Sequence, residues 1–222
     1  MSTPWPHSIR AVAFDLDGLI FNTEELYVEV GQTILQRHGK QLTRELVNAM
    51  MGLPNLKALQ VMIDWHQLDA TPHQLLDETK QMFTTMLPTR LKPMPGLLEL
   101  LDFLESLSIP KAIATSSTRP LVEMKLNTAR LGGRFSFWVT SDDVTHGKPS
   151  PDIYLKATDQ FGISSHEMLV LEDSQVGCRA AVAAGACTVA VPGEHSQDHD
   201  FSGVAFVANT LGDARIFELL GQ

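Results

Sequence analysis

The residues of this chain best placed to do chemistry are acids that close apolar runs. Phe14-Asp15-Leu16-Asp17-Gly18 sets two carboxylates one residue apart, directly behind Ala11-Val12-Ala13-Phe14. Met168-Leu169-Val170-Leu171 ends in a second pair, Glu172-Asp173. Burying an unpaired carboxylate is costly, so acids in such places face either a solvated turn or a cleft. Gly18 allows the backbone to turn sharply behind the first pair. Asp-Gly is also common in ordinary turns, so the first pair alone leaves both readings open.

Two further stretches bear on that choice. Ala114-Thr115-Ser116-Ser117 closes another apolar run with hydroxyls and backbone N–H groups just ahead of a helical pattern. N–H groups at such a position bind phosphate oxygens, although Ser and Thr are equally ordinary helix caps. Gly147-Lys148-Pro149-Ser150-Pro151-Asp152 fixes a lysine between a glycine and a proline, immediately before a helix. Most single lysines are surface residues. Taken together and in this order, the four stretches describe a site rather than four unrelated turns.

The elements that must position these residues follow from periodicity. Short continuous apolar runs at 11–14, 112–114, 135–140, 168–171, 188–191 and 204–207 read as strands buried on both faces of a parallel sheet. Helical patterns separate most of them: Leu97, Leu98, Leu101, Leu104 and Leu107, then Val122, Leu126 and Leu131, then Ile153, Leu155, Ala157 and Phe161. The expected fold is α/β, a doubly wound parallel, Rossmann-like sheet, which binds ligands outside the carboxyl ends of its strands. Residues 24–88 break the alternation with helical patterns at Leu26, Val30 and Ile34, at Leu59, Met62, Ile63 and His66, and at Leu75, Leu76, Phe83 and Met86. The expected division is an α/β core domain, 1–23 with 89–222, and an inserted mostly α-helical domain, 24–88. Pro88, Pro93, Pro95 and Gly96 mark the return to the core.

Composition narrows the partners. The formal net charge is −9, with 17 basic and 26 acidic residues, and no basic stripe is visible, so no nucleic-acid partner is expected. An anionic ligand must then be held by local charge or by metal. No apolar run reaches the ~20 residues of a membrane span and no secretory signal is visible, so a cytoplasmic location and no membrane partner are expected. Cys178 and Cys187 sit among Ala, Gly and Val and read as small buried hydrophobes.

Asp15-x-Asp17, Thr115, Lys148 and Glu172-Asp173 resemble the four ordered motifs of the haloacid dehalogenase-like hydrolase superfamily, and the resemblance spans nearly the whole chain. Phe-Asp-Leu-Asp-Gly-Leu (14–19), Gly-Lys-Pro-Ser-Pro-Asp (147–152) and Leu-Glu-Asp-Ser (171–174) are most similar to its branch of β-phosphoglucomutases and sugar-phosphate or nucleotide phosphatases. The helical insert resembles that branch's C1-type cap. Asp-Gly-Leu-Ile-Phe-Asn-Thr-Glu (17–24) looks most like the pseudouridine-5′-phosphatase-like members.

The resemblance implies a Mg²⁺-dependent phosphomonoester hydrolase acting on a small phosphorylated metabolite through an aspartyl-phosphate. Asp15 would be the nucleophile and Asp17 the acid that protonates the leaving oxygen and then activates water. Mg²⁺ would be held by the Asp15 carboxylate, the Asp17 carbonyl and Asp173, with Glu172 supporting or adding a ligand. Thr115 and the Ser116 N–H would hold phosphoryl oxygens, and Lys148 would neutralise charge between Asp15 and the phosphate. Three ionised acids, Asp15, Glu172 and Asp173, then balance one lysine and one divalent cation. That site is neutral if Asp17 is protonated, which its anionic neighbours favour. Tyr27, Gly52 and Asn55 in the insert are expected to select substrate, and the chain to be a monomer.

Rival readings have their own marks. A mutase of this branch carries a cap arginine for its second phosphate and a histidine in the first cap helix. By resemblance those places hold Asn55, with Lys57 nearby, and Tyr27. A catalytically silent phospho-ligand binder should have lost a motif residue, and all four motifs are intact. The dehalogenase branch does not use an aspartate at the place of Asp17. His195 and His199, beside Glu194, Asp198 and Asp200, could hold a metal but read as a polar loop. Neither G-x-G-x-x-G nor G-x-x-x-x-G-K-[ST] occurs.

Overall fold

The computed structural model describes residues 5, 7–50, 53, 55–194 and 196–221. Gly52 and His195, singled out above, lie outside the described residues. The chain divides into two compact units, Met1–Asn22 with Lys92–Gln222, and Thr23–Leu91.

Among the described residues of the first unit, six parallel strands form one sheet: β1 (Ala11–Phe14), β2 (Lys111–Ala114), β3 (Trp138–Val139), β4 (Met168–Glu172), β5 (Cys187–Ala190) and β6 (Phe206–Val207). Their spatial order is β3-β2-β1-β4-β5-β6, the doubly wound arrangement. Every residue of β1, β2, β4 and β5 is buried, which is why these segments read as continuous apolar runs rather than alternating ones. The runs at 135–140 and 204–207 yield only two-residue strands. Both lie at sheet edges, where a strand pairs on one side only.

The strand order reverses between β1 and β4, and ligands of such sheets bind at that switch point. Phe14 pairs with Leu171, so Asp15 and Glu172 leave the sheet at the same level. Behind Asp15 the chain turns at Gly18, whose φ of 82° suits glycine. The Gly18 N–H donates to Phe21 O at 2.9 Å and the Phe21 N–H to Leu16 O at 3.2 Å, while Leu16, Leu19 and Ile20 are buried. The departing and returning chains are clasped: Asn22 N–H donates to Lys92 O, and Lys92 N–H donates to Asn22 Oδ1 at 2.8 Å.

The second unit is helical, with α1 (Thr23–Arg37), α2 (Arg44–Met50), α3 (Asn55–His66) and α4 (Pro72–Arg90). Leu26, Val30 and Ile34, then Leu59, Met62 and Ile63, then Leu75, Phe83 and Leu87 are its buried stripes. Thr71 caps α4 in a reciprocal box with Gln74, with Pro72 in the first turn. The helix runs through Pro88 to Arg90, past the point where the sequence pattern placed the return to the core. A proline so near the end removes one bond of the last turn and is tolerated.

Helices α5 (Leu97–Ser106), α6 (Arg119–Ala129), α7 (Asp152–Phe161), α8 (Gln175–Ala183) and α9 (Ala214–Leu220) complete the first unit. In α5 the buried stripe is Leu97, Leu100, Leu101 and Leu104, whereas Leu98 and Leu107 are exposed, a correction to the stripe read above. Cys178 and Cys187 are free and buried, and burial pushes both thiols upward. Among the described residues no helix is long and apolar enough to cross a membrane.

The clasp at the base of the insertion is testable. Asn22→Ala removes the acceptor of the Lys92 N–H and should cost about 1 kcal/mol, read as a lower midpoint in denaturant. An unchanged midpoint would mean that the backbone bonds, Asn22 N–H to Lys92 O and Met94 N–H to Ile20 O, hold the two chains without the side chain.

Candidate active site

The site is built where strands end. Asp15 is the first residue beyond β1, and its N–H continues the ladder by donating to Leu171 O at 3.0 Å. Its side chain is one-tenth exposed and accepts from Lys148 Nζ at 2.5 Å. The same ammonium donates to Glu172 Oε1 at 2.6 Å and to Ala114 O at 3.0 Å. An ammonium has three protons, so one lysine ties together the carboxyl ends of β1, β2 and β4. Lys148 can do this because Gly147-Lys148-Pro149 precedes α7 and carries the side chain inward, where it is 6% exposed.

Glu172 is fully buried and fully engaged. Oε1 also accepts from the Tyr154 hydroxyl at 2.9 Å, and Oε2 accepts from Ser174 N at 3.1 Å and Ser174 Oγ at 2.9 Å. Ser174 is the N-cap of α8, its Oγ accepting from the Gly177 N–H. A Cβ built on Gly177 would fall onto the Glu172 carboxylate. Glycine at 177 is therefore the space in which Glu172 lies. Lys148 Nζ also stands 5.1 Å from the Tyr154 ring centre.

A second cluster surrounds Asp17. Lys125 Nζ donates to Asp17 Oδ1 at 2.5 Å, and Ser117 Oγ donates to Oδ2 at 2.6 Å. Ser117 N donates to Thr115 Oγ1 at 3.1 Å, linking this cluster to the loop after β2. Thr115 is buried, and its N–H donates to Val139 O. Ser116 lies between the two in the same loop, ahead of α6.

A family model of haloacid dehalogenase-like hydrolases matches residues 12–191. The chain belongs to that family. A phosphorylated carbohydrates phosphatase of Thermotoga maritima is 32% identical over 181 residues, covering 80% of this chain and 82% of the relative. A Drosophila melanogaster protein named probable pseudouridine-5′-phosphatase is 32% identical over 208 residues, 90% of this chain and 89% of that one. A solved Thermotoga maritima structure with a provisional β-phosphoglucomutase name has a TM-score of 0.81 at 27% identity, covering 96% of this chain and 97% of its own.

In this haloacid dehalogenase-like hydrolase, charge in the core is out of balance. Asp15, Glu172 and Asp173 are all buried, and Asp15 and Glu172 share one ammonium. Burial pushes the Asp15 carboxyl up to about 7, with Glu172 and Asp17 adding to the rise and Lys148 opposing it. Desolvation outweighs the attraction of Lys148 at Asp15. The hard oxygen donors of these carboxylates, with the carbonyls of the turn at 15–17, suit a divalent cation that keeps several waters. Among the described residues no three His, Cys, Asp or Glu side chains form a closed metal cage. Two carboxylates and a backbone carbonyl do not need one.

Of the insert residues read above, Tyr27 stacks on Phe83 at 4.4 Å between ring centres, and Asn55 opens α3 on the surface. Both belong to the helical unit. Sequence reading missed Lys125, Tyr154 and Gly177, and placed Ser117 at the strand end without its contact to Asp17. Lys125 carried a signal: it stands three residues after Val122 and next to Leu126, on the buried stripe of α6, where an unpaired charge would not be tolerated.

Two outcomes follow from these contacts. The Asp15 carboxyl titrates higher folded than unfolded, so its contribution to stability is full below about pH 4 and is lost as pH rises to about 7. In chelator-treated protein, Asp15→Asn should therefore gain on wild type across that window by at least about 1 kcal/mol, then hold a constant difference. Denaturant melts at pH 4.5 and 8 measure it, and a pH-independent difference would contradict the raised titration. Separately, Gly177→Ala should displace Glu172 and lower hydrolytic activity by about tenfold or more. Gly177→Ala with Glu172→Asp, which shortens the acid by one methylene, should recover part of the loss. Full activity in Gly177→Ala would show that Glu172 does not need this place.

Proposed function

We propose that the protein is a Mg²⁺-dependent phosphomonoesterase that acts on a small phosphorylated sugar or nucleotide through an aspartyl-phosphate on Asp15. The observation that carries this reading is the shared ammonium of Lys148 between Asp15 and Glu172. It holds the nucleophile's carboxylate at the switch point of the sheet and supplies positive charge beside it. The names of the phosphatase relatives support the same class.

In this reading Asp15 and Asp173 hold the metal with the Asp17 backbone carbonyl. Glu172 is assigned to Lys148 instead, because Tyr154, Ser174 and Lys148 already occupy both its oxygens. Bound Mg²⁺ supplies positive charge against the phosphoryl oxygens and the crowded carboxylates. Thr115 accepts from Ser117 N, so its own proton can be given to a phosphoryl oxygen, with the Ser116 N–H beside it. One Asp15 oxygen attacks phosphorus while the ester oxygen leaves and takes a proton from Asp17. Water then attacks the aspartyl-phosphate, gives its proton to Asp17 and releases inorganic phosphate and the Asp15 carboxylate. Lys148 stays charged throughout and balances the acids.

The helical unit, Thr23–Leu91, is proposed as the cap that selects substrate, with Tyr27 and Asn55 as its contributors. The protein is proposed to act as a cytoplasmic monomer. A phosphomutase would share the core chemistry, but its second phosphate needs a fixed cation, and residue 55 is a neutral asparagine, with Lys57 two residues on as the group that could stand in for it.

A release assay over phosphorylated sugars and nucleotides tests the reading. Wild type should liberate phosphate, chelation should abolish release, Mg²⁺ should restore it and Asp15→Asn should show none. Full activity in chelated protein removes the metal from the reading. Conversion of β-glucose 1-phosphate to glucose 6-phosphate faster than phosphate release makes the protein a mutase, and no turnover of any phosphate ester makes it a binder.

A further inference from the structure

Lys125 has no assigned role in the chemistry above, yet it is fully buried and its ammonium lies on Asp17. Lysine is rarely buried without a partner, and replacing a buried ion pair by apolar residues is often neutral or stabilising. The stability of α6 therefore does not explain a lysine between Val122 and Leu126. The geometry of its head group does. Nζ donates to Asp17 Oδ1 at 2.5 Å and to Ser117 Oγ at 3.2 Å. An ammonium can only donate, so the Ser117 oxygen accepts from Lys125 and its proton is turned toward Asp17 Oδ2, at 2.6 Å. One residue thus anchors one carboxylate oxygen directly and the other through a hydroxyl.

We infer that Lys125 is a positioning residue for the acid/base carboxylate. Acting with Ser117, it fixes the orientation of Asp17 from within the sheet-containing unit. The Asp17 side chain is about one-quarter exposed and follows a tight turn, so its backbone alone leaves rotation about the side-chain bonds open. The Lys125–Ser117 pair closes that freedom. Ser117 N reaches Thr115 Oγ1, so the same pair fixes Asp17 relative to the hydroxyl proposed to hold phosphoryl oxygens. The inference rests on the reading of Asp17 as the group that protonates the leaving oxygen.

That role predicts a dependence on the leaving group, which a general loss of structure would not produce. Alkyl phosphates leave as strongly basic alkoxides and need the proton, whereas an aryl phosphate with an acidic phenol barely does. Lys125→Met keeps the length and apolar stem of the side chain and removes its head group. It should lower kcat/KM for an alkyl phosphate by about tenfold or more, but that for p-nitrophenyl phosphate by no more than about threefold. Asp17→Asn should show the same bias. Asp17→Asn with Lys125→Met should be no worse on the alkyl ester than Asp17→Asn alone, within about twofold, because both changes remove one function. Equal losses on the two esters, or multiplicative losses in the double variant, would overturn the inference. Should Lys125→Met not fold, Lys125→Arg retains the charge, moves its donors away from Asp17 and is decided by the same ratio. Hydrolysis of both esters by wild type, lost in Asp15→Asn, is the separate control on the phosphatase reading. A wild type that hydrolyses neither ester sinks that reading and this one with it; hydrolysis without the bias sinks only the role of Lys125.

Discussion

The Lys148 ammonium is the constraint on which the rest of the core site depends. It binds a carboxylate beyond β1, a backbone carbonyl at the end of β2 and a carboxylate at the end of β4. Removing one partner of a buried ion pair costs about 3–5 kcal/mol, because the other is left as an unpaired charge. Here the loss would leave two acids unpaired. Glu172, Tyr154, Ser174 and Gly177 then form a chain of support running away from the sheet. Tyr154 closes one oxygen of the acid, the α8 N-cap closes the other, and Gly177 leaves room for the carboxylate.

Electrostatics explains why an acidic protein can host an anion here. The net charge of −9 repels phosphate at a distance, so the attraction must be local. Asp15 and Glu172 share one ammonium beside buried Asp173, and the Asp15 titration is raised first by burial, with Glu172 and Asp17 adding to the rise. A divalent cation at these oxygens would bring the sum of three acids and one lysine to neutrality. The Asp17 cluster is organised differently: one carboxylate oxygen accepts from the Lys125 ammonium, which also reaches Ser117 Oγ, and the other accepts from the Ser117 hydroxyl. The fold sets the Lys125 ammonium on Asp17, a contact that no motif in the sequence shows.

The motif residues were legible because each has a local cause. Asp15 follows a fully buried strand and Glu172 ends another, and β-sheet burial writes itself into sequence as an uninterrupted apolar run that ends abruptly where chemistry begins. Lys148 between Gly and Pro, and the hydroxyls of 115–117, carry comparable short-range signals. The α5 stripe has the expected phase at Leu97, Leu101 and Leu104 but takes Leu100 in place of Leu98 and Leu107, since a leucine-rich segment offers several residues near one face. The end of α4 was misread at Pro88, since proline stops a helix only where its missing N–H and ring cannot be accommodated.

By itself, the amino-acid sequence determined the six strand positions, the helical interruption and the acids, hydroxyls and lysine that mark the strand ends. These rest on periodicity and on the cost of burying charge, both of which act over a few residues. Tertiary structure alone decided which of those groups meet. Lys125 and Asp17 are 108 residues apart, Lys148 and Asp15 are 133 apart, and no local rule couples such distances. The order of a parallel sheet, with β1 beside both β2 and β4, brings their loops to one edge. Only there do a lysine on an apolar helix face and a glycine beneath a glutamate acquire their meaning, because each is defined by the group that occupies the space opposite it.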